Sequence, residues 1–229
     1  MKKIGKEDLQ KLYKPSKDSH KGQNGKLTVI GGSRLFHGAS LWALKIASRI
    51  VDMVYYSSIP ENNKIAEKLK SQIFDFICVS RSELGVYIEE SDAVLMGPGL
   101  MRTEETEELT KKLLFKFHKQ KWILDAGSLQ MMEKAWLKKL EQVIITPHAK
   151  EFERLFGEKA DERRLATLAE EYGVVIVLKG PKDYVCSPKK CAYNITGNEG
   201  MTKGGTGDVL AGLIAALACK NNLFLSACA

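Results

Sequence analysis

Leu27-Thr-Val-Ile-Gly-Gly-Ser33 is an apolar, β-prone run that stops at two glycines, and an apolar-periodic stretch over residues 39–54 follows it. A run this short, bounded by glycine, reads as a strand, and apolar residues at helical spacing read as a helix. The order is therefore strand, glycine loop, helix. Working outward, the pattern repeats. Strands are expected over 53–57, 76–79, 93–96, 122–124, 143–145 and 174–178, and helices over 62–69, 104–118, 149–156 and 161–172. The helix at 104–118 carries acids early and lysines late, which complements a helix dipole. A hairpin over 184–186 and 191–195 turns through Ser187-Pro-Lys-Lys190, and a last helix starts near Gly207 and runs through 209–218. Residues 1–25 are polar, with Pro15, Gly22 and Gly25, and read as a short helix and connector ahead of a domain over 26–229. Strands alternating with helices predict an α/β fold of three layers, a mostly parallel central sheet with helices on both faces. Ligands of such sheets bind beyond the carboxyl ends of the strands. Gly31, Gly97, Thr146 and Gly205 should thus line one cleft.

A chain of 229 residues, 44% hydrophobic and 28% charged, has the composition of an ordinary globular domain. Its formal charge of +7, from 35 Lys and Arg against 28 Asp and Glu, favours anionic partners. The lysines are interspersed with acids and no aromatic-interleaved basic stripe occurs, so nucleic acid is not expected among those partners. There is no apolar run of about 18 residues, and no membrane partner is expected. Cys78, Cys186, Cys191, Cys219 and Cys228 lack zinc-ligand spacing. Free thiols in a reducing cytoplasm account for them.

The chemistry concentrates in Asn194-Ile-Thr-Gly-Asn-Glu-Gly-Met-Thr-Lys-Gly-Gly-Thr-Gly-Asp208, ahead of the last helix. Glycines let backbone amides approach an anion, and a helix N-terminus adds unpaired N–H groups and positive dipole. Asp208, in the first turn, is placed to accept a hydroxyl proton while those amides hold phosphoryl oxygens. A bare Gly-Asp would be no more than a capped turn. Gly200, Gly204, Gly205 and Gly207 together exceed what a turn needs. The run has neither a Walker A ending nor a dinucleotide-fold glycine spacing.

This segment resembles the signature of the ribokinase-like NAD(P)H-hydrate dehydratases, formerly grouped with carbohydrate kinases. The resemblance continues, in order, through Val29-Ile-Gly-Gly-Ser33, Gly38-Ala39, Gly97-Pro-Gly-Leu100, Thr146-Pro-His148 with Glu151, and Lys179-Gly180. It implies a ribokinase-like fold and ADP- or ATP-dependent dehydration of hydrated NADH or NADPH by a homo-oligomer, with Mg2+. Asp208 would be the base, and Gly204, Gly205, Thr206 and Gly207 the anion hole. Lys179, Gly180 and Asn198 would serve the adenine nucleotide. Gly38, Ala39, Gly97, Gly99 and His148 would serve the hydrated cofactor, and Glu151 would organise magnesium through water or phosphate. Alone, His148 reads equally as a structural residue, and Glu151 as an exposed helix carboxylate. Three positions depart from the family pattern: Met101 and Lys150 replace glycines, and Gly127 replaces an acid. Relatives generally continue past 223–229 with further helices, so a shortened C-terminal end is expected. Two alternatives stay open, a ribokinase-like kinase of a small alcohol such as hydroxyethylthiazole or hydroxymethylpyrimidine, and a nucleotide-binding homologue impaired in catalysis.

Overall fold

The computed structural model describes all residues, 1–229. In chain order the elements are β1 (Lys2–Lys3), α1 (Lys6–Leu9), β2 (Lys26–Ile30), α2 (His37–Ala47), β3 (Met53–Ser57), α3 (Pro60–Lys68), β4 (Ile77–Cys78) and α4 (Leu84–Glu90). They continue as β5 (Ala93–Met96), α5 (Glu104–Lys116), β6 (Lys121–Leu124), α6 (Ala126–Met131), α7 (Lys134–Leu137), β7 (Gln142–Ile145), α8 (Ala149–Phe156) and α9 (Glu162–Tyr172). Last come β8 (Val175–Leu178), β9 (Asp183–Cys186), β10 (Cys191–Asn194), α10 (Thr206–Ala218) and α11 (Leu223–Cys228).

One 10-stranded sheet runs in the order β1-β10-β9-β8-β7-β6-β5-β2-β3-β4. Every neighbouring pair is parallel except β8 with β9 and β9 with β10. Side chains of a strand alternate between faces, and the core divides accordingly. Val94, Met96, Trp122, Leu124, Val143 and Ile145 pack under the helices α4 to α9. Ala93, Leu95, Ile123 and Ile144 pack under α2, α3, α10 and α11. Three layers are the result.

Local sequence sets the helix ends. Thr103 caps α5 by accepting from the Thr106 amide, with Glu104, Glu105 and Glu107 in the first turn and Lys116 in the last. Asp161 accepts from the Arg163 and Arg164 amides to start α9, and Gly173 ends that helix in the left-handed conformation.

Several expectations shift. The helix after β2 stops at Ala47, not near residue 54, because a turn over 48–52 is needed to bring the chain into β3. Short helices α4, α6 and α7 escape the periodicity reading, since four to seven residues show too few turns to establish a period. The first 25 residues are not outside the sheet: Lys2 and Lys3 pair parallel with Ala192 and Tyr193, and the Tyr13 amide donates to Asn221 Oδ1 at 2.7 Å. Nor are all cysteines free. Cys186 and Cys191 face each other across the hairpin and are joined by a disulfide, while Cys78, Cys219 and Cys228 are free thiols. Zinc spacing says nothing about such a cross-strand pair; the four-residue turn sets the two opposite one another, within reach of a bond.

Candidate active site

The carboxyl ends of β2, β5, β6, β7 and β8 are stitched to one another by backbone hydrogen bonds. Gly97 N donates to Ile30 O at 3.1 Å, Gly32 N to Pro98 O at 2.8 Å, and Gly127 N to Gly97 O at 3.3 Å. Thr146 N donates to Leu124 O at 3.1 Å and Lys179 N to Pro147 O at 2.9 Å. These contacts bring Gly31, Gly97 and Thr146 to one end of the sheet. The glycine loop closes over it. Gly205 has φ +99 as the N-cap of α10, and a Cβ there would sit 2.9 Å from the Trp42 ring of α2. Only glycine meets both conditions.

At the start of α10 the amides of Gly204, Gly205, Gly207 and Asp208 have no hydrogen-bond partner within the protein. Four such free donors at a helix N-terminus are a setting suited to an anion. Asp208 is half-buried beside them. Burial first, then the neighbouring charge of Asp125, pushes its carboxyl up to about 6; Lys179 opposes the shift and Glu151 adds to it. The helix dipole favours the carboxylate, but loss of solvent and two acidic neighbours outweigh it. A carboxylate near 6 is poised to exchange a proton at neutral pH.

Behind Asp208 lies an ion pair that the sequence reading only half found. Lys179 Nζ donates to Asp125 Oδ1 at 2.7 Å, with the side chains 18% and 3% exposed. Thr146 Oγ1 donates to the same oxygen at 2.8 Å. Burial works against the charge of Lys179, but Asp125, Glu151 and Asp208 together hold its pKa above the ordinary value. Nζ also lies 3.6 Å from where a Gly207 Cβ would stand, so the ammonium faces these free amides. The partner of Asp125, the acid that follows β6, becomes apparent only once β6, β7 and β8 are side by side.

Glu151 is not the exposed carboxylate of the alternative reading. It is 4% exposed. Its Oε1 accepts from Gln130 Nε2 at 2.8 Å and its Oε2 from the His148 amide at 3.0 Å, while the Glu151 amide donates to His148 Nδ1 at 3.2 Å. This reciprocal cap starts α8. His148 is thus structural and accessible at once: with Nδ1 accepting, the neutral ring carries its proton on Nε2, and half the side chain is exposed.

A cavity of about 520 Å³ opens between the β2–α2 loop and the 97–102 loop and includes Ala39, Gly99, Met101 and Gly127 in its wall. A Cβ at Gly127 would lie 2.3 Å from the Leu100 carbonyl oxygen. The acid expected there has no room, so the departure at 127 belongs to the way these two loops close together.

A family profile described as NAD(P)H-hydrate dehydratase matches residues 27–229. The chain belongs to this family. Among family members, the bifunctional NAD(P)H-hydrate repair enzyme Nnr of Methanocaldococcus jannaschii is 37% identical over 98% of this chain and 45% of its own length. The ADP-dependent (S)-NAD(P)H-hydrate dehydratase of Cenarchaeum symbiosum is 34% identical over 95% of this chain and 81% of its own. The chain therefore spans under half of the bifunctional relative and about four fifths of the other. In three dimensions it superposes on the ADP/ATP-dependent NAD(P)H-hydrate dehydratase of Bacillus subtilis, co-crystallised with ATP and Mg2+, with TM-score 0.82 and 25% identity over 99% of this chain and 84% of that one. A ribokinase from Thermotoga maritima, 15% identical with TM-score 0.57 over 89% of both chains, shares the fold.

Gly204 to Asp208, Lys179, Gly97, Gly99, Ala39 and His148 lie at one end of the sheet. Gly38 stands exposed at the start of α2, with open space around it. Gly180 begins the turn into β9, its amide donating to Asp183 Oδ1 at 3.0 Å. Asn198 is exposed, and its side chain accepts from the Gly200 amide at 2.9 Å, which shapes the glycine loop. Thr206 Oγ1 donates back to Lys203 O at 2.9 Å, so its hydroxyl serves the loop too. Residues missed in the sequence are Gln130 and Trp42. No spacing rule marks them, because each acts through a neighbour on another element.

Proposed function

We propose that this chain restores hydrated NADH or NADPH to the dihydronicotinamide, consuming ADP or ATP with Mg2+, in the cytoplasm and as a homo-oligomer. The observation that carries this reading is a half-buried carboxylate, Asp208, next to four unpartnered amides and a buried ammonium, Lys179. Apolar Phe74, Ile77 and Val86 stay exposed at and beside the edge strand β4, which supports assembly with further copies. The cytoplasmic placement rests on where the reduced cofactors are used. No helix is long and apolar enough to cross a membrane.

Asp208 takes the proton of the ring hydroxyl as its oxygen attacks the terminal phosphorus of the nucleotide, whose bridging oxygen leaves with the electron pair. The amides of Gly204, Gly205 and Gly207 hold the phosphoryl oxygens, and Lys179 adds positive charge on the same side. The phosphate ester is a better leaving group than hydroxide. The C–O bond then breaks towards phosphate, a proton leaves the neighbouring ring carbon, and the dihydronicotinamide is restored. The protein has no cage of three or more acidic, His or Cys groups. Its donors fit a magnesium ion carried on nucleotide phosphates and water, with Glu151 held by its two hydrogen bonds as the nearby carboxylate. When bound, the ion neutralises phosphate charge.

The test is the product balance. With hydrated NADH or NADPH, nucleotide and Mg2+, dihydronicotinamide absorbance should return with inorganic phosphate in equal amounts. A phosphorylated product that accumulates instead, or turnover of a thiazole or pyrimidine alcohol alone, identifies a small-molecule kinase.

A further inference from the structure

The cavity between the β2–α2 loop and the 97–102 loop has one charged residue in its wall, Arg102; the rest is mostly apolar and includes Phe36, Ala39 and Met101. Arg102 is held at one atom only. Its Nε donates to Gln130 Oε1, and Gln130 Nε2 in turn donates to Glu151 Oε1 at 2.8 Å. Glu151 is fixed by the His148 amide, as described above. The two terminal guanidinium nitrogens have no partner in the protein, neither a hydrogen bond nor a carboxylate within 4.0 Å. A relay of three side chains thus orients a guanidinium by its Nε and leaves its outer edge free.

We propose that Arg102 binds the diphosphate bridge of the dinucleotide substrate. Guanidinium presents paired N–H groups that match two phosphate oxygens. An apolar wall with a single cation suits a ligand whose flat rings and riboses flank a diphosphate, and Ala39 and Gly99 put this cavity on the side expected to hold the hydrated cofactor. Adenine nucleotides carry the same phosphate chemistry, so the experiment has to separate the two. The proposal rests on the dehydratase reading for the identity of the dinucleotide. Gln130 is a positioning residue in this arrangement: it sets the guanidinium and ties it to the buried carboxylate of Glu151.

The test uses the whole chain with hydrated NADH, nucleotide and Mg2+. Arg102→Ala should raise KM for the hydrated dinucleotide roughly tenfold, the size of a lost hydrogen-bonded charge contact, with kcat and the nucleotide KM changed less than about twofold. Arg102→Lys should recover part of the loss. Gln130→Leu should raise the same KM, and adding Arg102→Ala to it should do little more. Binding is read separately from NADH fluorescence, against dihydronicotinamide riboside, which has no phosphate: Arg102→Ala should weaken only NADH. The proposal is overturned by an unchanged dinucleotide KM, by equal weakening of both ligands, by an effect confined to the nucleotide, or by failure of the wild type to bind NADH. Should the wild type show the NADH split yet restore no hydrated cofactor, the diphosphate site stands and the dehydratase reading falls.

Discussion

Asp208 carries two roles with opposite effects on the protein. Folding raises its carboxyl from 3.8 to about 6, so the folded state binds a proton more readily than the unfolded one. Its contribution to stability is therefore fully present below pH 3.8 and is lost as pH climbs through about 6. At neutral pH the charged group costs about 1–2 kcal/mol, discounted for its partial exposure. Asp208→Asn should raise Tm by a few degrees at pH 7.5, leave it unchanged near pH 4, and lower turnover by at least about a hundredfold. Equal turnover in both proteins removes Asp208 as the base. In the wild type, kcat/KM should rise with pH along a limb centred near 6, the value for the free enzyme. Lys179 sets a second test. Lys179→Met leaves the buried Asp125 without its cation, and urea unfolding should show a loss of about 3–5 kcal/mol. Adding Asp125→Asn should return part of it, since no buried charge is then unpaired.

Between elements, the site depends on how closely the loop after β5 lies against the start of α6. Gly127→Ala places a methyl 2.3 Å from the Leu100 carbonyl. Backbone has to move, at about 1–3 kcal/mol by denaturant unfolding. Dinucleotide KM should rise as well, because residues 99–102 form the cavity wall; an unchanged KM would mean that the two loops adjust independently. This seam shows what was legible in the sequence. Strand-loop-helix order follows from local patterning, so β2, β5, β6, β7 and β8 and the motifs at their ends could be read directly. The glycine loop was legible too, since its chemistry is contiguous from Asn194 to Asp208. Pairings such as Lys179 with Asp125, or Arg102 with Gln130, join residues from different loops, and only the sheet order fixes them. The β1 pairing was invisible for a related reason: two lysines have no periodicity, and their partner strand lies near the other end of the chain.

Across the whole molecule, the two ends of the sheet do different work. Strand carboxyl ends carry the acids, the ammonium and the glycine loop. The disulfide lies at the opposite end, because β9 runs against β8 and Cys186 pairs with Ile176 while Tyr184 pairs with Leu178. Its reduction opens a small loop and should cost about 2 kcal/mol of unfolding free energy. Turnover should be unaffected; a fall in kcat on reduction would show that the hairpin transmits strain to the glycine loop. The edge strand beyond that hairpin bears on how the chain is made. Lys2 and Lys3 leave the ribosome about 190 residues ahead of Ala192 and Tyr193, with which they pair. At ~5–20 residues per second the wait is on the order of ten to forty seconds. Through that interval β1 has no partner strand, and the sheet can take it up only once β10 has been made.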